Sequence, residues 1–377
     1  MRILHVYKDY FPVLGGIENH VRLLAEAQAA LGHDVTVLVT NPGPHTWRGE
    51  MNGVRVVKAA RLATVASTPL SLALPRALAR QGADITHLHY PYPVGEVAHL
   101  LAGGGRRAVL SYHSDVVRQR RIMRLYAPLM ERVLRTIDRI LVATPNYLES
   151  SPVLRSFRDK CYIIPYGIDR RRFVEADMGE AQALRRRLGG GPLLLFVGVL
   201  RYYKGLRYLL EAMARLGARP DARLVIVGEG PEGEALRRQA AALGLADRVQ
   251  FVGRVPDDVL PLYYRAADLF VLPASERSEA FGLVQLEAMS SGLPVICTEL
   301  GTGTSYVNRH GESGWVVPPR DAAALAHAID VLLADDVLRQ RLAAGALARS
   351  EQFSAEGMVR EILGVYRELV PGVDGRG

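Results

Sequence analysis

The 377-residue chain is long enough for two domains with separate cores, and its composition, 49% hydrophobic and 23% charged, is that of a soluble globular protein. Its two cysteines, Cys161 and Cys297, lie too far apart in sequence for a disulfide framework or a thiolate metal cluster. No segment approaches the ~20 apolar residues that cross a bilayer, and the opening MRILHVYKDYFP is too short and polar for a secretion signal, so a cytoplasmic protein is expected. The net charge of +8 is unevenly held: residues 1–165 carry 21 Lys+Arg against 12 Asp+Glu, and the remainder carries 26 against 27.

In chain order, strand patterns occur at RILHVY, DVTVLV, VRVVKA, DITHLH, RAVLSYH, RILVAT and CYIIP, with helical stretches between most of them. The segment RQRRIMRLYAPLMERVLRTIDR holds seven arginines, with Ile122, Leu125, Leu129, Val133 and Ile137 at helical spacing. Pro128 predicts that this helix is kinked or split. Such a segment is either a solvated arginine face over a core stripe or a surface for anionic lipid or phosphate.

Residues 169–190, polar and closed by Gly189–Gly191, read as a linker between a first domain (1–168) and a second (191–353). A second series of strands follows at PLLLFVG, ARLVIVG, RVQFVG, LFVLP, LPVICT and GWVVP. The stretch SAEGMVREILGVYREL predicts a terminal helix, placed within 354–377 and expected to pack back on the first domain. Apolar strands alternating with helices predict parallel sheets covered on both faces, hence an α/β chain of two doubly wound domains with a cleft between them.

Ligands of such sheets bind beyond the carboxyl ends of the strands, so the residues there are the candidates. Gly15–Gly16 follows the first strand and precedes a helix beginning near Ile17. The pair allows close backbone approach to an anion at a helix start, and it also serves plain turn geometry. His113, with Asp115 behind it, ends the strand RAVLSY and suits donation to a sugar hydroxyl or stabilisation of developing charge; a structural role is the alternative. Arg201 and Lys204 fall in a strand-to-helix turn, where fixed positive charge clamps a diphosphate or is simply solvated.

The stretch SEAFGLVQLEAMSSG places Glu279 in a loop and Glu287 inside a helix beginning near Gly282 or Leu283. The helix start favours a phosphate, Glu287 suits a ribose diol, and Glu279 then reaches the group beyond the phosphates. The bland alternative for Glu287 is a salt bridge on a helix face.

Taken together, GGIENHV, YHSDVVRQ, IPYGID, RYYKGL and the E-x7-E pair Glu279/Glu287 stand in an order that resembles the retaining GT-B glycosyltransferases of family four, from Met1 to about Tyr366. The resemblance implies two Rossmann-like domains closing over a nucleotide sugar, with Glu287 on the ribose and Arg201 and Lys204 on the diphosphate. It implies Glu279 and the backbone of Phe281, Gly282 and Leu283 at the donor sugar, His113 at the sugar ring, Gly16 near the phosphates, and the base against Arg254 and Val255. Gly15, Asp115 and Arg118 lie in loops that would meet the acceptor. Many relatives carry an arginine at the position of Val199, so Arg201 is the substitute here.

No D-x-D pair occurs, so basic residues and a helix end are expected to neutralise the departing diphosphate without a metal or other cofactor. HSDVVRQ, SERSEAFG and ELGTGTSYVN resemble the branch that builds bacterial cell-surface polysaccharides such as lipopolysaccharide. That implies transfer of mannose or a related deoxysugar from a GDP-sugar, with a UDP-sugar as the alternative, to a polyprenyl-diphosphate-linked glycan, and a peripheral contact with anionic lipid on the inner membrane face. An inactive nucleotide-sugar-binding protein is the rival from another class. A nicotinamide dehydrogenase lacks support because no G-x-G-x-x-G follows the first strand, and nucleic-acid binding because the arginines lack interleaved aromatic platforms.

Overall fold

Leucine- and β-branched runs form the strands because only a sheet covered on both faces buries every side chain of such a run. In the computed structural model, which describes residues 1–372 except 14, 66–67, 104, 116–119 and 218 and the backbone alone of 120–125, the chain divides into two units. One comprises Met1–Gly167 and Ala355–Gly377, the other Ile168–Ser354.

The strands of the first unit are β1 (Arg2–Val6), β2 (Asp34–Thr40), β3 (Trp47–Met51), β4 (Val54–Ala59), β5 (Ala63–Val65), β6 (Thr68–Leu70), β7 (Ile85–Tyr90), β8 (Arg107–Tyr112), β9 (Arg139–Val142) and β10 (Cys161–Ile163). Eight of them form one sheet in the order β10-β9-β8-β7-β1-β2-β4-β3, parallel except for β3, which returns antiparallel along β4. β5 and β6 make a separate antiparallel pair. Strand order reverses between β1 and β7, so their carboxyl ends flank the switch point of this sheet, where doubly wound folds open a crevice.

The second unit contains β11 (Leu193–Val197), β12 (Arg223–Val227), β13 (Val249–Gly253), β14 (Leu269–Leu272), β15 (Val295–Thr298) and β16 (Gly314–Val317), in the order β13-β12-β11-β14-β15-β16 and all parallel. Its switch point lies between β11 and β14. Leu194, Leu195, Phe196, Leu269 and Phe270 are buried there, each worth roughly 1.5–3 kcal/mol of transfer free energy.

The stretch expected as a linker is folded into the second unit. Helix Met178–Arg187 is capped by Asp177, whose carboxylate accepts from the Glu180 N–H at 2.8 Å. Ala181, Leu184 and Leu188 sit at helical spacing and are buried, and Arg185 binds Asp268 at 2.7 Å. The charged residues that suggested a linker are the outer face of an amphipathic helix. Pro128 does not divide its helix, which runs unbroken over Arg120–Thr136. Of the apolar positions read in the sequence, Val133 and Ile137 are buried, with Met130 and Leu134 beside them, Leu129 is exposed, and the side chains of Ile122 and Leu125 lie outside the described residues. Helix Ala355–Leu369 belongs to the first unit, with Met358, Ile362, Leu363 and Tyr366 buried in it.

Candidate active site

In the second unit the loops after β11 and β14 meet at the switch point. The loop after β11 turns through Gly205, whose φ of +70° starts helix Leu206–Arg215. A Cβ there would lie 1.9 Å from the Pro273 carbonyl oxygen, so only glycine lets the two loops touch. That contact brings Lys204 to Glu279, with Nζ 2.5 Å from the carboxylate and the two side chains 11% and 9% exposed.

Burial alone would lower the Lys204 pKa, but the charge of Glu279 and the neighbouring Tyr203 outweigh it, and the ammonium is held above the usual lysine range. A permanent positive charge is therefore fixed at the carboxyl edge of this sheet. Arg201, two residues past Val199, is exposed and forms no ion pair among the described residues.

Helix Leu283–Ser290 begins at Gly282, whose φ is +80°. No side chain caps its first turn, and Phe281 is buried, with its ring centroid 6.1 Å from that of Phe353. Glu287 lies just over one turn into this helix. Its carboxylate accepts from the Tyr264 hydroxyl at 2.7 Å, and the Arg172 guanidinium stands 4.0 Å away. Burial raises its pKa above the usual carboxylate range, and the Tyr264 hydrogen bond and the Arg172 charge work against that rise. Arg254 is exposed in the turn after β13, with Val255 half-buried beside it.

In the first unit helix Gly16–Ala30 follows β1, with Gly15 extended before it. Glu18, in its first turn, folds back so that a Cβ on Gly15 would meet its carboxylate at 2.2 Å, and Lys8 pairs with it at 3.6 Å. Asp115 is a structural hub, accepting from the hydroxyls of Tyr112 at 2.9 Å and Ser151 at 3.0 Å while its own N–H donates to Tyr147. Arg118 lies outside the described residues.

His113 is 5% exposed, and both its ring nitrogens are engaged, Nε2 with His89 at 3.0 Å and Nδ1 with the Tyr166 hydroxyl at 2.5 Å. Donation from this ring to a sugar hydroxyl therefore requires one of these bonds to open.

The structure thus joins Lys204 with Glu279, and the first turn of helix Leu283–Ser290 with Glu287. It adds Tyr264 and Arg172 at Glu287, and His89 and Tyr166 at His113, none of which the sequence singled out. Arg172 was hidden inside the apparent linker. The alternation of His87 and His89 in DITHLHY, matched by His5 in RILHVY, was a signal in the sequence for histidines sharing one face of adjacent strands.

Residues 14–172 match the family described as Glycosyltransferase Family 4, and residues 182–349 match Glycosyl transferases group 1. The chain is 42% identical to D-rhamnosyltransferase WbpZ of Pseudomonas aeruginosa over 93% of its length and 92% of the relative's. It is 37% identical to O-antigen chain mannosyltransferase C of Escherichia coli over 98% of its length and 99% of the relative's. Among solved structures, sucrose-phosphate synthase from Thermosynechococcus elongatus superposes with a TM-score of 0.81 at 25% identity, covering 98% of both chains.

Proposed function

The chain belongs to the family-four glycosyltransferases of GT-B fold, and from that premise we propose that it moves a mannosyl or related deoxyhexosyl group from a GDP-sugar to a polyprenyl-diphosphate-linked glycan in cell-surface polysaccharide synthesis. The observation that carries this reading is the near full-length identity to a D-rhamnosyltransferase and an O-antigen mannosyltransferase. The placement of the E-x7-E pair at the switch point of the second sheet supports it.

In this reading Glu287 accepts hydrogen bonds from the ribose diol. Tyr264 fixes one of its oxygens, so the other is presented in a set orientation. Lys204, held charged beside Glu279, and the uncapped N–H groups of Gly282 and Leu283 take up negative charge as the diphosphate departs. Arg201 adds a second positive charge on an exposed side chain. Glu279 holds Lys204 in place and contacts the donor sugar with Phe281 and Gly282. Arg254 and Val255 flank the base.

In the first unit Gly16 approaches the phosphates, and His113 serves the sugar ring after releasing one of its two hydrogen bonds. Gly15, Asp115 and Arg118 meet the acceptor. Attack from the face the diphosphate leaves retains the anomeric configuration. The absence of a D-x-D pair supports a transfer step that needs no metal.

The test is a transfer assay in EDTA with GDP-mannose, a GDP-deoxyhexose and UDP-glucose as donors and a synthetic polyprenyl-diphosphate glycan as acceptor. The expected product forms from a GDP-sugar and keeps the donor's anomeric configuration by NMR. Transfer from UDP-glucose alone would overturn the donor, an inverted product would overturn retention, and loss of transfer in EDTA restored by Mg2+ would overturn metal independence.

A further inference from the structure

Six histidines of the first unit are buried. His99, on helix Pro93–Ala102, has an unpaired Nδ1 of its own among the described residues. The other five pack ring against ring: His5 on β1, His87 and His89 on β7, His113 after β8, and His20 on helix Gly16–Ala30. Each is less than a tenth exposed. Four of these five are accounted for by hydrogen bonds. Gln28 Oε1 accepts from His5 Nε2 at 2.8 Å, His5 Nδ1 meets His89 Nε2 at 3.1 Å, and His89 Nδ1 meets His113 Nε2 at 3.0 Å. His113 Nδ1 ends the chain at Tyr166, and His87 lies between the hydroxyls of Tyr366 and Ser111.

The fifth is different. Nε2 of His20 is fully buried and has no hydrogen-bond partner among the described residues. Its ring stands edge-on to His113 and to His89, at centroid distances of 5.3 and 5.9 Å. Leaving such a nitrogen unpaired costs about 1–3 kcal/mol. Helix positions tolerate many apolar residues, so a histidine here calls for a reason.

We infer that His20, His89 and His113 form a binding site for one divalent transition-metal ion of the zinc, cobalt or nickel class, built into the core of the first unit. One nitrogen from each of the three residues lies within 4.8 Å of those of the others. Tetrahedral coordination at Zn–N ≈ 2.0–2.1 Å separates two ligand nitrogens by about 3.3 Å. His89 Nδ1 and His113 Nε2, 3.0 Å apart, need open by only a few tenths of an ångström.

Binding replaces the proton shared between those two nitrogens and releases none. His113 shifts its proton to Nδ1, which then donates to the Tyr166 oxygen, and the Tyr166 hydroxyl keeps its own proton but no longer donates to His113. His89 keeps its Nε2 proton and donates it to His5, the outer hydrogen bond that orients a ligand imidazole. An imidazole binds a metal through one unprotonated ring nitrogen, and since His5 Nε2 donates to Gln28, His5 Nδ1 accepts from His89 Nε2 and leaves His89 Nδ1 unprotonated.

The site shares His113 with the sugar contact proposed above, and with the ion bound both ring nitrogens of His113 are taken, so the ion and that contact exclude each other. Its ion would tie helix Gly16–Ala30 to β7 and to the end of β8.

The test uses the untagged full chain, stripped with chelator and dialysed, then titrated with Co2+ and with Zn2+ while visible absorption and thermal melting are followed. The wild type should bind one Co2+ per chain with the absorption of a tetrahedral nitrogen site, and each ion should raise the melting temperature by several degrees. His20→Gln should melt like the wild type without metal and lose the absorption and at least tenfold in affinity, whereas the exposed-residue control His45→Gln should keep both. Absence of stoichiometric binding to the wild type, or binding indifferent to His20→Gln, would overturn the site. Should His20→Gln fail to fold, anomalous diffraction from zinc-soaked wild-type crystals decides. A peak among the three rings supports the site, and zinc found only elsewhere overturns it.

Discussion

Lys204 and Glu279 form a nearly buried ion pair whose cost of desolvation is high, so neither charge is tolerable alone. Lys204→Met should lose about 3–5 kcal/mol of stability because it strands the Glu279 carboxylate. Lys204→Met combined with Glu279→Gln should recover most of that loss while leaving donor binding impaired. Urea denaturation of the two single variants and the double variant checks this, and additive losses would mean that the two residues are not coupled. Glu287 is the reverse case, a carboxylate whose burial raises its pKa and whose ionised form is therefore a burden on the empty fold. A raised carboxylate pKa favours folding below the unfolded value, and that contribution is lost as pH rises through the folded one. Glu287→Gln should accordingly fold at least as stably as the wild type at neutral pH. A carboxylate retained at such a position is explained by a ligand that needs it.

At the scale of elements, strands and helices follow from composition more readily than their contacts do. Every apolar run read as a strand is one, and most are buried along their length, although β10 and β13 at one edge of their sheets are only partly covered. β3, WRGEM, was not legible, since an edge strand with exposed alternate positions lacks that signal. Helix Met178–Arg187 was missed because its two buried residues, Ala181 and Leu184, are outnumbered by charges on its outer face. Glu287 could be placed in a helix from sequence, but its Tyr264 partner could not, because the two are 23 residues apart on different helices with β14 between them.

The start of helix Leu283–Ser290 depends on Gly282, where a Cβ would lie 2.7 Å from Gln285 Nε2 and 2.8 Å from Leu272 Cδ2 at a φ of +80°. Gly282→Ala should therefore cost about 1–3 kcal/mol. It should also weaken nucleoside diphosphate binding more than any loss of secondary structure by circular dichroism would explain. A variant that binds as the wild type does would remove the helix start from the site.

For the whole molecule, the family order of motifs was legible across both halves, while the histidine cluster required the sheet register that sets His5 beside His87. The charge asymmetry is a property of the chain as a whole. Its first 165 residues carry an excess of nine positive charges, concentrated in the arginine-rich segment, and among the described residues no helix is long and apolar enough to cross a membrane. If this surface meets anionic lipid, as the acceptor proposed here would require, the protein should float with phosphatidylglycerol vesicles and not with phosphatidylcholine vesicles. About 0.5 M salt, which shortens the Debye length to a few ångströms, should release it. Flotation independent of lipid charge and salt would contradict that contact.

The central claim is that Glu287 and the helix start before it hold a nucleoside diphosphate, and isothermal titration of the metal-free protein with GDP and UDP tests it most directly. The account predicts binding of GDP in preference to UDP, weakened by about ten- to a hundredfold in Glu287→Ala, the loss expected for hydrogen bonds to a charged group worth ~1.5–3 kcal/mol. Binding of neither nucleotide, or binding unchanged by the substitution, would contradict it.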